Sequence, residues 1–388
     1  MDDKVSKKEG MRTTAVHAGE PRPPIDDAIV MPLYQSATYK LGEPDSFDDI
    51  RYIRLNNTPN QRSVTAKLAA LENAEAAVVT PSGTAAVSMA LLTNLRPGEH
   101  ILAHTGVYGG TRKILDDMAE RHGILVSYTK IESRDDLEEA RREETRVVLV
   151  ESMTNPILDI VPLDEVAAFC KDHGLVSMID NTFATPVNLR PIELGFDLVI
   201  HSASKYLNGH SDVVAGVVAG SKKKIETLRH RLNLLGICLD PHSCFLLQRG
   251  LKTLPVRVPV QNAGATLIAR MLREHPKVQR VYYPGLPNDP NHERAKRFLS
   301  GFGAMVTFIP RGGPEISERV MQGLSLAQIA PSLGGIETLV CRPVTTSHAG
   351  LGPEALAESG VTADMIRLSV GIEDPEDLAA DMLRALEA

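Results

Sequence analysis

Between residues 75 and 204, short unbroken apolar runs keep returning among stretches with helical spacing, and this rhythm constrains the fold more than any other feature. The runs are "EAAVVT", "HILAH", "TRVVLVES", "LVSMIDN" and "DLVIHSAS". Between them lie "TAAVSMALLTNL", "TRKILDDMAERHG" and "LDEVAAFCKDHG", each with apolar residues three and four apart. A strand that is apolar along its whole length must be covered on both faces. The intervening helices supply that cover, together with the crossovers that parallel strands require. The chain is therefore expected to form an α/β domain around a mostly parallel sheet.

The rhythm begins near "SVTAKLAALENA" and changes after "LLQRGLKTLPVRVPVQNAGATLIARMLREHP", which reads as one long helix. The C-terminal hundred or so residues have the texture of a smaller α+β domain. Residues 1–60 show no sustained periodicity and are rich in proline and asparagine, as in "EPRPPIDD" and "RLNNTPNQR". Such an arm must lie against its own body or a neighbouring subunit. The expected division is an arm over 1–60, a sheet domain over 61–250 and a C-terminal domain over 251–388.

Composition narrows the functional classes. Hydrophobic residues at 43% and charged residues at 23% give a chain of 388 residues ample core, which argues against disorder. The net charge of −7, from 42 Lys and Arg against 49 Asp and Glu, leaves no electrostatic footprint for nucleic acid or an anionic membrane. The 4 cysteines form no C-x-x-C pair and the histidines show no ligand spacing, so no metal site is expected. Few cysteines in a long chain point to a reducing compartment. The start "MDDKVSKKEG" lacks a signal-peptide core, and no run approaches the roughly 20 apolar residues of a membrane span. A cytoplasmic enzyme with a small-molecule substrate is the reading this leaves.

Ligands of an open parallel sheet bind beyond the carboxyl ends of its strands. Four groups fall at such ends: Ser82-Gly83-Thr84 after "EAAVVT", Asn155 after "VVLVESMT", Asp180 after "LVSMI" and Lys205 after "DLVIHSAS". Taken singly, each has an ordinary explanation as a turn, a cap or a surface lysine. Taken together, they suggest one cofactor. A lysine in a low-dielectric setting titrates down and becomes a nucleophilic amine able to form a Schiff base. Pyridoxal phosphate (PLP) needs such an amine, a phosphate cradle, a carboxylate against its pyridine nitrogen and an aromatic ring over its face. Lys205, Ser82-Gly83-Thr84 with Ser202 and Ser204, Asp180 and Tyr108 would supply these parts. Ser202-Ala203-Ser204-Lys205 also fits the S-x-x-K motif of acyl-enzyme chemistry, but its S-D-N and K-T-G companions are missing. A silent binding protein on the same fold would have been free to lose Lys205 or Asp180.

"DLVIHSASKYLNGHSD" resembles the cofactor-lysine signature of the Cys/Met-metabolism (transsulfuration) family of PLP enzymes. "RYIRLNNT", "TPSGTAA", "VYGGT", "ESMTNP", "DNTFATP", "PSLGGIETL" and "IRLSVGIED" resemble other segments of that family, in order along nearly the whole chain. The resemblance implies the aspartate-aminotransferase-like fold (PLP fold type I) and a homotetramer built as a dimer of dimers. It implies that Lys205 is the Schiff-base lysine, Asp180 the pyridinium partner and Tyr108 the stacking ring. By the same resemblance Gly83, Thr84, Ser202 and Ser204 bind the phosphate, and Tyr52 and Arg54 reach the phosphate of a neighbouring subunit's cofactor. Arg367, with Asn155 and Ser332, would hold the substrate carboxylate. Ser204 replaces the family's usual threonine and keeps a hydroxyl, whereas "NNTP" replaces Asn-Pro-Thr, which implies a different bend in the arm.

The reaction implied begins with proton removal from the substrate Cα and continues with loss of a group from Cγ. Many cystathionine-using relatives carry a glutamate immediately before the Ser-Leu-Gly; here Pro331 offers no charge for a distal ammonium. That favours methionine or homocysteine, and with them a methionine γ-lyase-like elimination. Gly110 points the other way, since typical methionine γ-lyases have cysteine there. The alternatives are γ-replacement on an O-acylhomoserine, as in cystathionine γ-synthase or homoserine sulfhydrylase, and cystathionine γ-lyase activity.

Overall fold

Every apolar run named above becomes a strand in the computed structural model, which describes residues 9–388. The first eight residues, including most of the polar start and the outer end of the expected arm, lie outside that range. The larger sheet contains β1 (Ala76–Thr80), β2 (His100–His104), β3 (Leu125–Thr129), β4 (Thr145–Glu151), β5 (Val176–Asp180), β6 (Leu198–Ser202) and β7 (Gly216–Gly220). Their order is β1-β7-β6-β5-β4-β2-β3, and only β7 runs against the others.

Both faces are covered, which is why the strands read as continuous apolar runs. Val78, Ile101, Met178, Leu198 and Ile200 pack with Leu91, Leu115 and Ile225 of helices Gly83–Asn94, Gly109–His122 and Lys222–Leu235. Val79, Leu102, Val148, Ile179 and Val199 share the opposite core with Leu68, Phe169 and Leu254 of helices Pro59–Glu72, Leu163–Asp172 and Pro241–Glu274. Local signals fix the helix starts. Thr58 and Gln61 form a capping box ahead of Pro59, and Ser82 Oγ accepts the Ala85 N–H at 3.0 Å.

The smaller sheet holds β8 (Val278–Tyr282), β9 (Met305–Pro310), β10 (Gln328–Ile329), β11 (Leu339–Cys341) and β12 (Ile366–Ser369), in the order β10-β11-β12-β9-β8. All its neighbours are antiparallel except β10 and β11. Between the sheets runs the 34-residue helix Pro241–Glu274, and the boundary expected at 250/251 falls inside it. Arg257 donates to the Tyr206 carbonyl at 3.0 Å, and Gln261 donates to the Gly335 carbonyl at 2.7 Å. The helix thus ties the chain beside Lys205 to the small-sheet segment that follows Ser332.

Part of the N-terminal arm lies against its own body. Helix Met11–His17 packs on helices Pro59–Glu72 and Pro241–Glu274. Lys67, fully buried, donates from Nζ to the Ala15 carbonyl at 2.7 Å and stands 3.6 Å from Glu20. Burial lowers the Lys67 pKa to about 8, against the opposing pull of Glu20. Among the described residues no helix is long and apolar enough to cross a membrane.

Candidate active site

The carboxyl ends of the parallel strands meet the small sheet around a cavity of about 480 Å³. Gly83, Thr84, Tyr108, Asn155, Asp180, Ser202, Ser204, Lys205, Ser332 and Arg367 all border it. Ten of the twelve expected site residues, from both sheets, therefore converge on one space. Tyr52 and Arg54 do not border it. Arg54 instead donates from Nη1 to the Asn233 carbonyl at 2.9 Å and lies over the rings of Phe47 and Tyr52.

The glycine turn after β1 is set by close packing. A Cβ on Gly83 would stand 2.7 Å from Ser202 Cβ, so only glycine lets this helix start approach the end of β6. Because Ser82 occupies the Ala85 N–H, the N–H groups that the helical ladder leaves without acceptors at the cavity are those of Gly83 and Thr84. An anion is favoured at such a helix start. The Ser204 hydroxyl is engaged with the Ala215 backbone, accepting its N–H at 3.0 Å.

Lys205 follows β6 in a turn and donates from Nζ to Ser332 Oγ at 2.8 Å. Burial lowers its pKa, and the nearby Arg367 charge lowers it further. The "NGH" that follows serves packing: Gly209, at φ +74°, leaves the space in which the Arg257 guanidinium lies. Arg367 on β12 is 2% exposed. It donates to Asn155 Oδ1 and to the Ser332 carbonyl, both at 3.1 Å, so the three residues expected around a carboxylate are joined. Asp180 ends β5; burial raises its pKa, while Thr182, donating from both its N–H and its hydroxyl to Oδ1, pulls the other way.

Tyr108 begins helix Gly109–His122 and is 42% exposed. Its ring lies where a side chain at 110 would begin, since a Cβ on Gly110 would stand 2.3 Å from Tyr108 Cε1. Two contributors escaped the sequence reading. Thr182 carries a signal, because a threonine two residues after an aspartate is placed to cap it. Glu151 ends β4, borders the cavity, and accepts the Tyr108 N–H on Oε1 at 2.6 Å. A carboxylate closing the run "VVLVE" was its only signal. Pro331, Ile114, Val213, Val214 and Leu333 complete an apolar part of the wall.

Comparison with known proteins shows which family the chain resembles. The sequence profile of the Cys/Met metabolism PLP-dependent enzymes matches residues 12–387. The chain is 37% identical to an L-methionine gamma-lyase of Fusobacterium nucleatum subsp. polymorphum, covering 98% of this chain and 99% of that one. It is 38% identical to a cystathionine beta-lyase of Lactococcus lactis subsp. cremoris, over 97% and 99% of the two chains. A solved structure of cystathionine gamma synthase from Xanthomonas oryzae pv. oryzae, in complex with cystathionine, superposes with a TM-score of 0.93 at 34% identity, covering 98% of each chain. The fold is therefore that of the PLP-dependent transsulfuration enzymes.

Proposed function

Because this chain belongs to the Cys/Met-metabolism family of PLP-dependent enzymes, we propose that it cleaves an uncharged sulfur amino acid by γ-elimination, as a methionine γ-lyase-like carbon–sulfur lyase. It is an enzyme of sulfur amino-acid metabolism, and its cofactor is pyridoxal 5′-phosphate. The donor set fits that cofactor. Two helix-start N–H groups and the Ser202 hydroxyl suit a phosphate, Asp180 a ring nitrogen, and a buried amine the aldehyde.

In this reading Lys205 holds the cofactor through its amine. Gly83, Thr84 and Ser202 would take the phosphate, Asp180 would face the pyridine nitrogen and Tyr108 would cover the ring. The Ser204 hydroxyl, expected at the phosphate as well, is held by the Ala215 backbone, donating to its carbonyl at 3.3 Å and accepting its N–H at 3.0 Å. When bound, the cofactor supplies an electron sink for the charge left as protons depart from Cα and Cβ. Arg367, Asn155 and Ser332 grip the substrate carboxylate and turn the Cα–H toward Lys205. The Lys205 amine, its pKa lowered by burial, takes first the Cα and then the Cβ proton. Tyr108 hands a proton to the departing sulfur. Methionine and water then become α-ketobutyrate, ammonia and a thiol.

One observation carries the choice of substrate. Among the described residues, the acidic and basic side chains bordering the cavity are Glu151, Asp180, Lys205 and Arg367. Lys205, Asp180 and Arg367 are engaged with cofactor or carboxylate in this reading, and Glu151 is committed to the Tyr108 N–H. Pro331 and its apolar neighbours offer nothing to a distal ammonium, whose burial without a partner is costly. The γ-replacement reading is favoured by the likeness to the Xanthomonas synthase and by Gly110. A panel of methionine, homocysteine, cystathionine and an O-acylhomoserine, each with and without an added thiol, separates the two. Release of α-ketobutyrate from methionine or homocysteine without thiol supports elimination. Reaction of the acyl ester alone, and only with thiol, overturns it.

We further propose a cytoplasmic homotetramer in which Tyr52 and Arg54 of one subunit complete a neighbour's phosphate site. In support, both residues lie away from their own chain's cavity. The four free cysteines suit a reducing compartment.

A further inference from the structure

Two carboxyl groups end adjacent parallel strands at the floor of the cavity. Glu151 and Asp180 are register partners across β4 and β5, and the Ser152 N–H donates to the Asp180 carbonyl at 3.0 Å. Their surroundings differ. Asp180 accepts two hydrogen bonds from Thr182 on one oxygen. Glu151 accepts one, from the Tyr108 backbone at 2.6 Å, and is 7% exposed. The cavity's cations are directed elsewhere: Lys205 Nζ to Ser332 Oγ, and Arg367 to Asn155 Oδ1 and the Ser332 carbonyl. His201, on β6, faces Glu72 of helix Pro59–Glu72. Among the described residues, Glu151 therefore has a like charge beside it and no counter-charge in contact with it.

We propose that Glu151 is a positioning residue that serves as a neutral acid, seating Tyr108 through the backbone N–H while adding no second negative charge beside Asp180. Two carboxyl groups this close do not both ionise at little cost, and their protons belong to the pair. Burial and the neighbouring Asp180 charge push the Glu151 pKa well above the usual carboxylate range, with the Tyr108 N–H opposing. Asp180 is raised too, but the two hydrogen bonds from Thr182 act against the rise. The proton of the pair thus resides on Glu151, and the charge is kept on Asp180, where a pyridinium nitrogen needs it. This inference rests on the reading that Asp180 and Tyr108 flank PLP.

The test uses holoenzyme and needs no substrate. The visible absorption of bound PLP is titrated with pH in wild type, Glu151→Gln and Glu151→Ala, and the PLP dissociation constant is measured for each. Glutamine keeps the acceptor for the Tyr108 N–H and carries no charge, so its titration midpoint and dissociation constant should match wild type. Alanine removes the acceptor, so it should loosen PLP several-fold and alter the cofactor's circular dichroism. A midpoint in Glu151→Gln lower by about one pH unit or more would mean a negative charge had been lost near the cofactor, which overturns the proposal. A Glu151→Ala protein with wild-type circular dichroism and affinity would overturn the seating role. Wild type that binds no PLP chromophore would instead refute the underlying site assignment.

Discussion

Replacing Gly83 by alanine tests the phosphate cradle through its packing rather than its hydrogen bonds. The new Cβ would stand 2.7 Å from Ser202 Cβ and 2.8 Å from both Ser202 Cα and Oγ. Carbon atoms rest at about 3.5–4.0 Å, so the helix start and the end of β6 must part by roughly 1 Å. Two of the three clashing atoms lie within one bond of the backbone, so a rotamer change of Ser202 cannot relieve the contact. Overpacking of this kind costs about 1–3 kcal/mol. Bound phosphate requires the helix N–H groups and Ser202 together, so most of the cost should appear on PLP binding. A cost of about 2 kcal/mol corresponds to roughly 30-fold weaker PLP. The assay is reconstitution of apoenzyme with PLP, followed by visible absorbance, with far-UV circular dichroism confirming the fold. A folded Gly83→Ala protein that binds PLP within twofold of wild type would refute the placement of the phosphate between these two segments.

Three other outcomes follow from the same geometry. Mixing inactive Arg54→Ala and Lys205→Ala subunits should restore part of the activity through hybrid sites; no recovery, once subunit exchange is confirmed, would argue against a shared site. Burial lowers the Lys67 pKa in the folded chain to about 8, against 10.5 for an ordinary lysine. Between those values the unfolded chain binds the proton that the folded chain has released, so Lys67 adds stability as pH rises from 8 toward 10.5. Calorimetry at pH 8 and pH 10 should therefore show wild type gaining stability relative to Lys67→Met, and an unchanged difference would contradict the buried placement. Pro331→Glu should shift the kcat/KM ratio from methionine toward cystathionine by about tenfold, the scale of one new charge contact; a ratio unmoved in a folded variant would remove Pro331 from substrate choice.

The parallel sheet was legible because burial on both faces leaves an unbroken apolar run, as in "VVLVE" and "DLVIHS". Strand β3 was not, because it is the sheet's edge and its residues are half-exposed, which breaks the run. Helix Met11–His17 was missed because its 7 residues, about two turns, are too few to show a period, and its support, the buried Lys67 ammonium, lies 52 positions away from Ala15. At the site, residues with fixed chemistry at strand ends, such as Asp180 and Lys205, could be read from the chain. Glu151 could not, because its role depends on Asp180 across the register and on a backbone N–H from another loop. Gly110, which departs from the cysteine of typical methionine γ-lyases, sits beside the Tyr108 ring: a Cβ there would stand 2.3 Å from Tyr108 Cε1, so a side chain at 110 would require the ring to move.

The central claim is that this cavity removes sulfur from Cγ of an amino acid whose distal end is uncharged. Identifying the keto acid released from L-methionine and from cystathionine, with kcat/KM for each, tests it most directly. The account predicts α-ketobutyrate from methionine, with the higher kcat/KM of the two. Pyruvate from cystathionine with methionine left intact would place the cleavage at Cβ, and would contradict it.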